Sequence, residues 1–275
     1  MRPIEEQVIL VTGSTDGLGR HVSAQLAARG ATVLLHGRDQ ERGRHTLAKI
    51  RDATGSERLH YYLADLSALA NVRRLAGEIK HDRDRLDVLV NNAGIGGGDG
   101  RREVSHDGYE LRFAVNYLSG FLLTHELLPL LQSSAPARIV NVASIGQAPI
   151  DFDDVMLERT YEAFDAYRQS KLAQVMFTFE LAERLGDDAG VTVNCLHPAT
   201  LMDTKMVRES FGSAMTTIEE GAEATLRLID SPELDGVTGR YFDGLHESRA
   251  NKQAYDAGAR RRLRALSEEL CGLAG

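Results

Sequence analysis

The stretch TGSTDGLG at residues 12–19 constrains this chain more than any other part of its sequence. It follows a compact apolar run, Val8–Val11, that predicts a buried strand, and it precedes a helical pattern in which Leu18, Val22 and Leu26 recur at one-turn spacing. A glycine turn between a strand and a helix aims backbone N–H groups and the positive end of the helix dipole at an anion. An ordinary strand-to-helix connection has the same pattern, but the position at the first such junction favours a nucleotide site.

The three glycines of this turn have different expected roles. Gly13 permits the tight turn, Gly17 lets a pyrophosphate approach the backbone, and Gly19 lets the helix pack closely on the strand. Their spacing is G-x-x-x-G-x-G, not the G-x-G-x-x-G of the common dinucleotide fingerprint. The residues between them, which we also expect at the nucleotide, are Ser14, Thr15, Asp16 and Leu18.

The composition argues against several classes of partner. A net charge of -8 argues against nucleic acid and against an anionic membrane surface. No metal-ligand spacing occurs, so no metal site is expected. The two cysteines, Cys195 and Cys271, stand in unlike contexts, and Cys195 is expected to be an inert core thiol. With an acidic N-terminus that lacks a signal-peptide core, the expected location is the cytoplasm.

Strand-like and helix-like stretches alternate along all 275 residues, without a repeat or a domain boundary. We predict seven strands, the last at residues 239–242, and helices that include a long one over about residues 105–131. Repeated βα units imply a parallel sheet covered by helices on both faces. The fold prediction is therefore a single α/β domain over residues 1–275, with a doubly wound, Rossmann-type sheet of about seven mostly parallel strands.

Motif residues fall just past the predicted strands, at one edge of that sheet, where open α/β sheets bind ligands. In chain order the motifs are TGSTDGLG at residues 12–19, DL at 65–66, NNAG at 91–94, Asn116 in the next helix, Ser144, YRQSK at 167–171 and HPAT at 197–200. With these seven motifs the sequence resembles the short-chain dehydrogenase/reductase family over about residues 7–244. The resemblance implies an NAD(P)-dependent enzyme that interconverts a carbonyl (aldehyde or ketone) and an alcohol by hydride transfer.

Four residues carry the catalysis that the resemblance implies. Tyr167 and Lys171 are four apart on a helix, so they share a face. A free tyrosine has a pKa near 10, and a neighbouring ammonium lowers it, which would let Tyr167 act as general acid and base. Ser144 would hydrogen-bond the substrate oxygen, and Asn116 would hold a water of a proton relay to Lys171. Taken singly, a Tyr–Lys pair is more often a surface hydrogen bond, and a serine at this position a strand-end cap.

The resemblance also implies the cofactor contacts. Besides the glycine turn, Tyr167 and Lys171, they are Arg38, Asp65, Leu66, Asn92, Ala93, Gly94, Pro198, Leu201 and Thr204. The HPAT motif departs from the family's usual Pro-Gly, because Ala199 replaces the glycine and must avoid strongly positive φ.

The end of the second strand predicts which cofactor is used. NAD-preferring relatives carry an acidic residue where this chain has Gly37, and Arg38 follows with a planar fork suited to phosphate. NADP(H) is therefore favoured, with NAD(H) possible. Asp39 has two possible roles: it either caps the next helix or hydrogen-bonds the ribose, which would favour NAD(H).

Two segments are candidate substrate-binding regions. Residues 145–166 are longer than the equivalent connection in many family members and contain IDFDDV, a form that resembles the retinol-dehydrogenase-like branch. Residues 200–216 resemble the family's mobile substrate region and carry five apolar candidates, namely Met202, Met206, Val207, Phe211 and Met215. A small apolar carbonyl or alcohol is the expected substrate. The alternative for residues 145–166 is a surface insertion without a role, and the alternative for the apolar residues of 200–216 is ordinary packing.

Two other functions fit the same fold. An epimerase or dehydratase usually has a larger C-terminal substrate region than follows Pro198 here, and a cofactor-sensing scaffold tends to lose the tyrosine or the lysine. A homodimer or homotetramer is expected, because the two helices carrying Asn116 and Tyr167 commonly pair in the family. The apolar residues expected to point outward from those helices are Leu122, Leu123, Leu127, Val175 and Phe179.

Overall fold

Eight strands form one sheet in the computed structural model, which describes residues 1–96 and 100–273. They are β1 Val8–Val11, β2 Thr32–Gly37, β3 Leu59–Leu63, β4 Val88–Asn91, β5 Ala137–Val142, β6 Val191–His197, β7 Tyr241–Asp243 and β8 His246–Glu247. The strand order is β3-β2-β1-β4-β5-β6-β7-β8, and every neighbouring pair from β1 to β7 is parallel. The doubly wound α/β prediction is confirmed.

The strand count differs from the prediction by one. β8 has two residues and pairs antiparallel with β7, with His246 opposite Asp243. The short β7 begins at Tyr241 rather than at Gly239. A two-residue edge strand has no side-chain alternation to detect, so sequence periodicity passes over it.

Eight α-helices cover the sheet over the described residues. They are α1 Gly17–Ala28, α2 Gln40–Thr54, α3 Leu69–Asp82, α4 Ser119–Ser133, α5 Ala163–Leu185, α6 Lys205–Phe211, α7 Ile218–Asp230 and α8 Ala257–Leu270. A π-helical segment, Phe113–Leu118, leads directly into α4. The long helix predicted over residues 105–131 is therefore wrong in its first turns, where a Val104–Glu110 bridge closes a loop. Each of these helices is too short or too polar to cross a lipid bilayer.

Side-chain alternation along the strands divides the core into two layers. Ile9 and Val11 pack with α1, α2 and α7 on one face. Leu10 and Leu89 pack with α3, α4, α5 and α8 on the other. Both faces are buried, which explains why the strands read as continuous apolar runs rather than alternating ones.

The five residues expected to point outward are buried within the subunit. Leu122, Leu123, Leu127 and Val175 are 0% exposed and Phe179 is 9% exposed. Helix α8 packs along α5, and the ring of Tyr255 lies 5.3 Å from that of Phe179. These residues therefore give no support to the expected assembly, which stays a prediction.

Both cysteines are free and buried. Burial raises the pKa of Cys195 to about 12, so its thiol stays protonated at neutral pH. The expectation of an inert core thiol agrees with this environment.

Candidate active site

Backbone contacts at the glycine turn leave no space for side chains. A Cβ on Gly19 would lie 2.4 Å from the Gly13 carbonyl oxygen and 2.4 Å from Asn92 Nδ2. Gly13 has φ +65°, and a Cβ there would lie 2.8 Å from Ala93 Cα. The turn after β1 and the turn after β4 are thus in direct contact. Such a side-chain-free cradle at the start of α1 fits the diphosphate of a dinucleotide.

Thr12 joins the two turns. Its Oγ1 accepts hydrogen bonds from the backbone N–H groups of Asn92 and Ala93, each at 3.0 Å. Asn92 Nδ2 in turn donates to the Thr12 carbonyl oxygen at 2.8 Å. Asn92 and Ala93 are therefore held against the glycine turn, next to Gly94, and Thr12 is a positioning residue that was not among the predicted site residues.

The residues between the glycines mostly shape the turn itself. Asp16 caps α1, because its carboxylate accepts from the Gly17 N–H at 2.8 Å. Ser14 is fully buried and its Oγ accepts from the His36 backbone N–H at 2.8 Å. Leu18 is buried in the core, and Thr15 lies half-buried.

His36 was not among the residues that the sequence predicted at the site. Its buried ring spans two turns: Nδ1 accepts from the Gly13 backbone N–H at 3.1 Å, and Nε2 lies 3.1 Å from the Ala64 carbonyl oxygen. Burial, the largest effect, lowers the pKa of His36 to about 4. The neutral imidazole therefore fixes the glycine turn through the Gly13 backbone N–H. Its place inside an apolar strand was the only available signal.

The end of β2 shows what Asp39 does. Its carboxylate accepts from the Arg42 N–H at 2.9 Å and so caps α2. Arg38, one residue earlier, is exposed. A Cβ on Gly37 would lie 2.6 Å from Thr15 Cγ2, so this strand end lies against the glycine turn. Of the two alternatives for Asp39, the structure shows the helix cap.

Asp65 and Leu66 follow β3 at the same edge. Burial tends to raise the pKa of Asp65, but hydrogen bonds from Ser67 and the charges of Arg38 and His106 outweigh it and lower the pKa. Asp65 Oδ1 accepts from the Ser67 N–H at 3.0 Å. Leu66 is 7% exposed and packs in the core.

Tyr167, Ser144 and Lys171 come together at the start of α5. The Ser144 side chain lies close enough to the Tyr167 hydroxyl to lower its pKa, and Ser144 Oγ and Tyr167 Cε1 would lie 3.5 and 3.9 Å from a Cβ on Gly146. Ser144 Oγ also accepts from the Gly146 N–H at 3.1 Å. Lys171 Nζ lies 5.7 Å from the centre of the Tyr167 ring, on the same helix face. The predicted triad of side chains is thus assembled in one place.

The pKa of Tyr167 differs from the sequence-based expectation. Burial raises it, and the Ser144 side chain opposes that rise without overcoming it. The expected lowering by Lys171 is not among the causes that act on Tyr167. Lys171 Nζ instead donates to the Val142 carbonyl oxygen and to Gln174 Oε1, each at 2.9 Å. Burial also lowers the pKa of Lys171 to about 7.

Asn116 lies in the π-helical segment. Its Oδ1 accepts from the Ile95 N–H at 2.7 Å, and its Nδ2 donates to the Ile95 carbonyl oxygen at 3.1 Å and to Ser170 Oγ at 2.9 Å. Asn116 therefore fixes the loop after Gly94 to α5. A Cβ on Gly94 would lie 3.4 Å from Asn116 Oδ1 and 3.6 Å from Lys171 Nζ, which places all three at one point of the site.

The segment after β6 lies over the glycine turn. Pro198 is buried, and the positive φ of 48° occurs at Leu201 rather than at Ala199. Thr204 caps α6, and its Cγ2 is 3.5 Å from where a Gly17 Cβ would be. A cavity of about 560 Å³ separates the start of α1 from α6. Leu201 and Thr204 thus adjoin the predicted cofactor site.

The two candidate substrate segments contribute unequally. In residues 145–166, Ile150 exchanges backbone hydrogen bonds with the Gln253 side chain and is buried, so the middle of this segment is braced by the C-terminal region. Its ends, Ile145 and Phe164, are exposed beside Ser144 and Tyr167.

In residues 200–216 the five apolar candidates differ in how far their side chains are buried. Met202 packs against α7, whereas Met215 is exposed; Met206 and Val207 are half-buried, and the side chain of Phe211 lies outside the described part of the chain.

Comparison with known proteins identifies the family. Residues 7–213 match the family described as short chain dehydrogenase. Retinol dehydrogenase 13 from Mus musculus is 37% identical over 98% of this chain and 85% of the relative. Retinol dehydrogenase 14 from Homo sapiens is 37% identical over 97% of this chain and 87% of the relative.

Solved structures with the same fold support this family assignment. A protein from Mycobacterium paratuberculosis superposes with a TM-score of 0.79 at 28% identity, covering 97% of this chain and 94% of that one. A short chain dehydrogenase from Shigella flexneri, complexed with NADP, has a TM-score of 0.72 at 28% identity, covering 88% of this chain and 98% of its own. A site of serine, tyrosine and lysine beside a glycine cradle, on a chain with these relatives, makes this protein a member of the short chain dehydrogenase family of NAD(P)-dependent oxidoreductases.

Proposed function

We propose that this enzyme interconverts an apolar aldehyde or ketone and the corresponding alcohol with NADP(H), and that Tyr167 is its general acid and base. The observation that carries the proposal is the placement of Ser144 and Lys171 beside Tyr167: the Ser144 side chain lowers the pKa of Tyr167, and Lys171 lies on the same helix face with Gly94 beside it. The bound nicotinamide supplies or accepts the hydride. All other steps belong to side chains of this chain.

Tyr167 handles the proton on the substrate oxygen. Because burial raises its pKa, the phenol is protonated at neutral pH and is ready to donate when a carbonyl is reduced. Ser144 hydrogen-bonds the same oxygen and stabilises the negative charge that develops on it. In the oxidation direction Tyr167 must first ionise, so that reaction needs a nearby positive charge, which Lys171 provides when protonated.

Arg38 supports the preference for NADP(H). Its guanidinium is exposed at the end of β2, beside Gly37 and next to the glycine turn. Asp39, the neighbouring acidic residue, accepts from the Arg42 N–H and caps α2. The structural relative from Shigella flexneri is complexed with NADP. NAD(H) is the second cofactor in this proposal.

The apolar surface at the site supports the substrate class. Ile145 is 56% exposed directly after Ser144, and Phe164 is 44% exposed one helical turn before Tyr167. The Phe164 and Tyr167 rings are nearly parallel, 13° apart, at a centroid distance of 6.1 Å. The retinol dehydrogenases at 37% identity suggest a long apolar alcohol or aldehyde of the retinol kind as the first compound to try.

The proposed location is the cytoplasm, without a membrane or nucleic-acid partner, and rests on the net charge of -8 and the two free cysteines. The proposed assembly is a homodimer or homotetramer and rests on the family resemblance alone. Light scattering at micromolar concentration tests the assembly, and a monomer would contradict it.

The deciding experiment compares the wild type with Tyr167→Phe on a panel of aldehydes, ketones and alcohols. The substitution removes the hydroxyl and keeps the ring, so folding and NADPH binding should survive. General acid–base catalysis supplies about 10²–10⁴-fold, and turnover should fall by at least that order. Near-normal turnover by Tyr167→Phe would remove Tyr167 from the mechanism.

A further inference from the structure

A buried glutamine on α5 contacts the site lysine. Gln174 is 4% exposed and lies one helical turn after Lys171 on α5. Its Oε1 accepts from Lys171 Nζ at 2.9 Å. The amide oxygen must be the atom that faces Nζ, because an ammonium only donates.

The number of N–H donors on Lys171 shows what its contact with Gln174 does. An ammonium has three N–H donors, and two are directed to Gln174 Oε1 and to the Val142 carbonyl oxygen. One donor is left for the cofactor side of the residue. A neutral amine could also donate to both acceptors, but hydrogen bonds from an ammonium are stronger, so the two acceptors favour the charged form and fix the direction of its third N–H.

Gln174 is itself firmly held. Its backbone oxygen accepts from Thr178 Oγ1 at 2.8 Å, and Thr178 accepts from Asn141 Nδ2 at 2.9 Å. Asn141 Oδ1 accepts from Asn91 Nδ2 at 2.9 Å, directly before the Asn92 turn. This buried line of hydrogen bonds joins the backbone of α5 at Gln174 to β5 and β4, so the helical turn that carries the amide is fixed to the sheet.

We propose that Gln174 is a positioning residue that keeps Lys171 protonated and aimed at the cofactor side of the active site. The proposal rests on the proposed function only in what the ammonium is used for; the proton affinity of Lys171 can be measured without turnover. Burial alone works against the charge, since it lowers the pKa of Lys171. A charge-assisted hydrogen bond offsets part of that loss.

Two titratable groups face Lys171 within the described part of the chain. They are Tyr167 on its own helix and His197 at the end of β6. Burial is the main cause that lowers the pKa of His197. The strand β5 contributes the Val142 carbonyl, and the π-helical segment contributes the neutral amide of Asn116. The titration of Lys171 therefore depends mainly on its burial and on its two acceptors.

The test is a direct titration of Lys171 by NMR in the full-length, cofactor-free protein. The chain has only five lysines, so ¹³C-lysine spectra are simple, and Lys171→Met assigns the signal. Gln174→Met should lower the pKa of Lys171 by about one to two, because a hydrogen bond to a charged group changes proton affinity by that order. Gln174→Glu, which places a carboxylate beside the ammonium, should raise it.

A matched control is available on the same helix. Gln169 is also 4% exposed, but it bonds the Val155 carbonyl and the Asp151 N–H rather than Lys171. Gln169→Met should leave the pKa of Lys171 unchanged. The pH profile of kcat/KM for alcohol oxidation should change in the same order. Its alkaline limb should move to lower pH in Gln174→Met and to higher pH in Gln174→Glu.

An unchanged Lys171 titration in both Gln174 variants would overturn the proposal. If Gln174→Met fails to fold, Gln174→Glu alone decides, because it keeps the polar contact and predicts an opposite sign. A uniform loss of rate at every pH, without a moved limb, would assign Gln174 a packing role only. If the wild type turned over no carbonyl or alcohol, the proposed function would fail while the titration result stood.

Discussion

His36 Nδ1 accepts a hydrogen bond from the backbone N–H of Gly13 at 3.1 Å, so a buried imidazole joins the end of β2 to the glycine turn. The other ring nitrogen, at 3.1 Å from the Ala64 carbonyl oxygen, must carry the proton. Only the neutral ring can make both bonds. The shape of the predicted cofactor cradle is therefore linked to the protonation of one histidine.

This linkage predicts acid sensitivity in a defined pH window. The pKa of His36 is about 4 in the folded chain and near 6.5 when unfolded, so the unfolded chain binds more protons between these values. The free energy of unfolding should be unaffected above pH 6.5 and should fall by about 3 kcal/mol as the pH drops to 4. Urea unfolding between pH 4 and 7 measures this fall.

The variant His36→Gln cannot titrate and should lose that slope. His45→Gln, an exposed position on α2, is the matched control and should keep it. If His36→Gln retained the wild-type slope, other groups would be responsible.

Gly19 and Gly77 provide a paired test of the cradle. Gly19→Ala should destabilise the protein by about 1–3 kcal/mol and weaken NADPH binding, because its Cβ would meet the Gly13 carbonyl oxygen at 2.4 Å. Gly77→Ala, in α3 with nothing within 4 Å, should stabilise it by up to about 1 kcal/mol. Thermal unfolding and NADPH titration measure both. Equal effects of Gly19→Ala and Gly77→Ala on stability and NADPH binding would mean that the glycine turn can relax around a methyl group.

Arg38→Ala tests the cofactor preference. A hydrogen bond to a charged group contributes roughly 1.5–3 kcal/mol, so NADPH binding should weaken about tenfold or more while NADH binding stays nearly constant. Arg51→Ala, at the far end of α2 and paired with Glu57, should change neither. Matched losses for NADPH and NADH in Arg38→Ala would show that Arg38 does not read the 2′-phosphate.

Lys171→Met and Ser144→Ala should both move the acid limb of alcohol oxidation to higher pH. Lys171→Met removes the ammonium that favours the phenolate in the proposed mechanism, and Ser144→Ala removes the side chain that lowers the pKa of Tyr167. Only Lys171→Met should also weaken cofactor binding, since Lys171 is one of the expected cofactor contacts. Rate profiles from pH 6 to 10, with cofactor titrations alongside, separate the two. A limb that stays in place in both variants would contradict the assigned roles.

Much of the site could be predicted because its residues are local in sequence. The strand–turn–helix at residues 8–28 and the Tyr167–Lys171 pair depend on spacing along one segment, which periodicity captures. The helix predicted over residues 105–131 was wrong at its start because that segment makes tertiary contacts: the His106 N–H donates to the Ser67 carbonyl oxygen, and Asp107 Oδ2 accepts from the Leu69 N–H. Helices α6 and α8 were also missed.

The sequence alone determined the parallel sheet, the edge where the functional residues lie, and which residue types meet there, because strand and helix periods and glycine spacing are local properties. Only the tertiary structure decided their environment. It gave Lys171 its two acceptors, turned Asp39 into a helix cap, placed His36 beneath Gly13 and buried Leu122 and Val175. Charge state, hydrogen-bond direction and burial depend on groups far apart in the chain, and these become neighbours only when the chain packs.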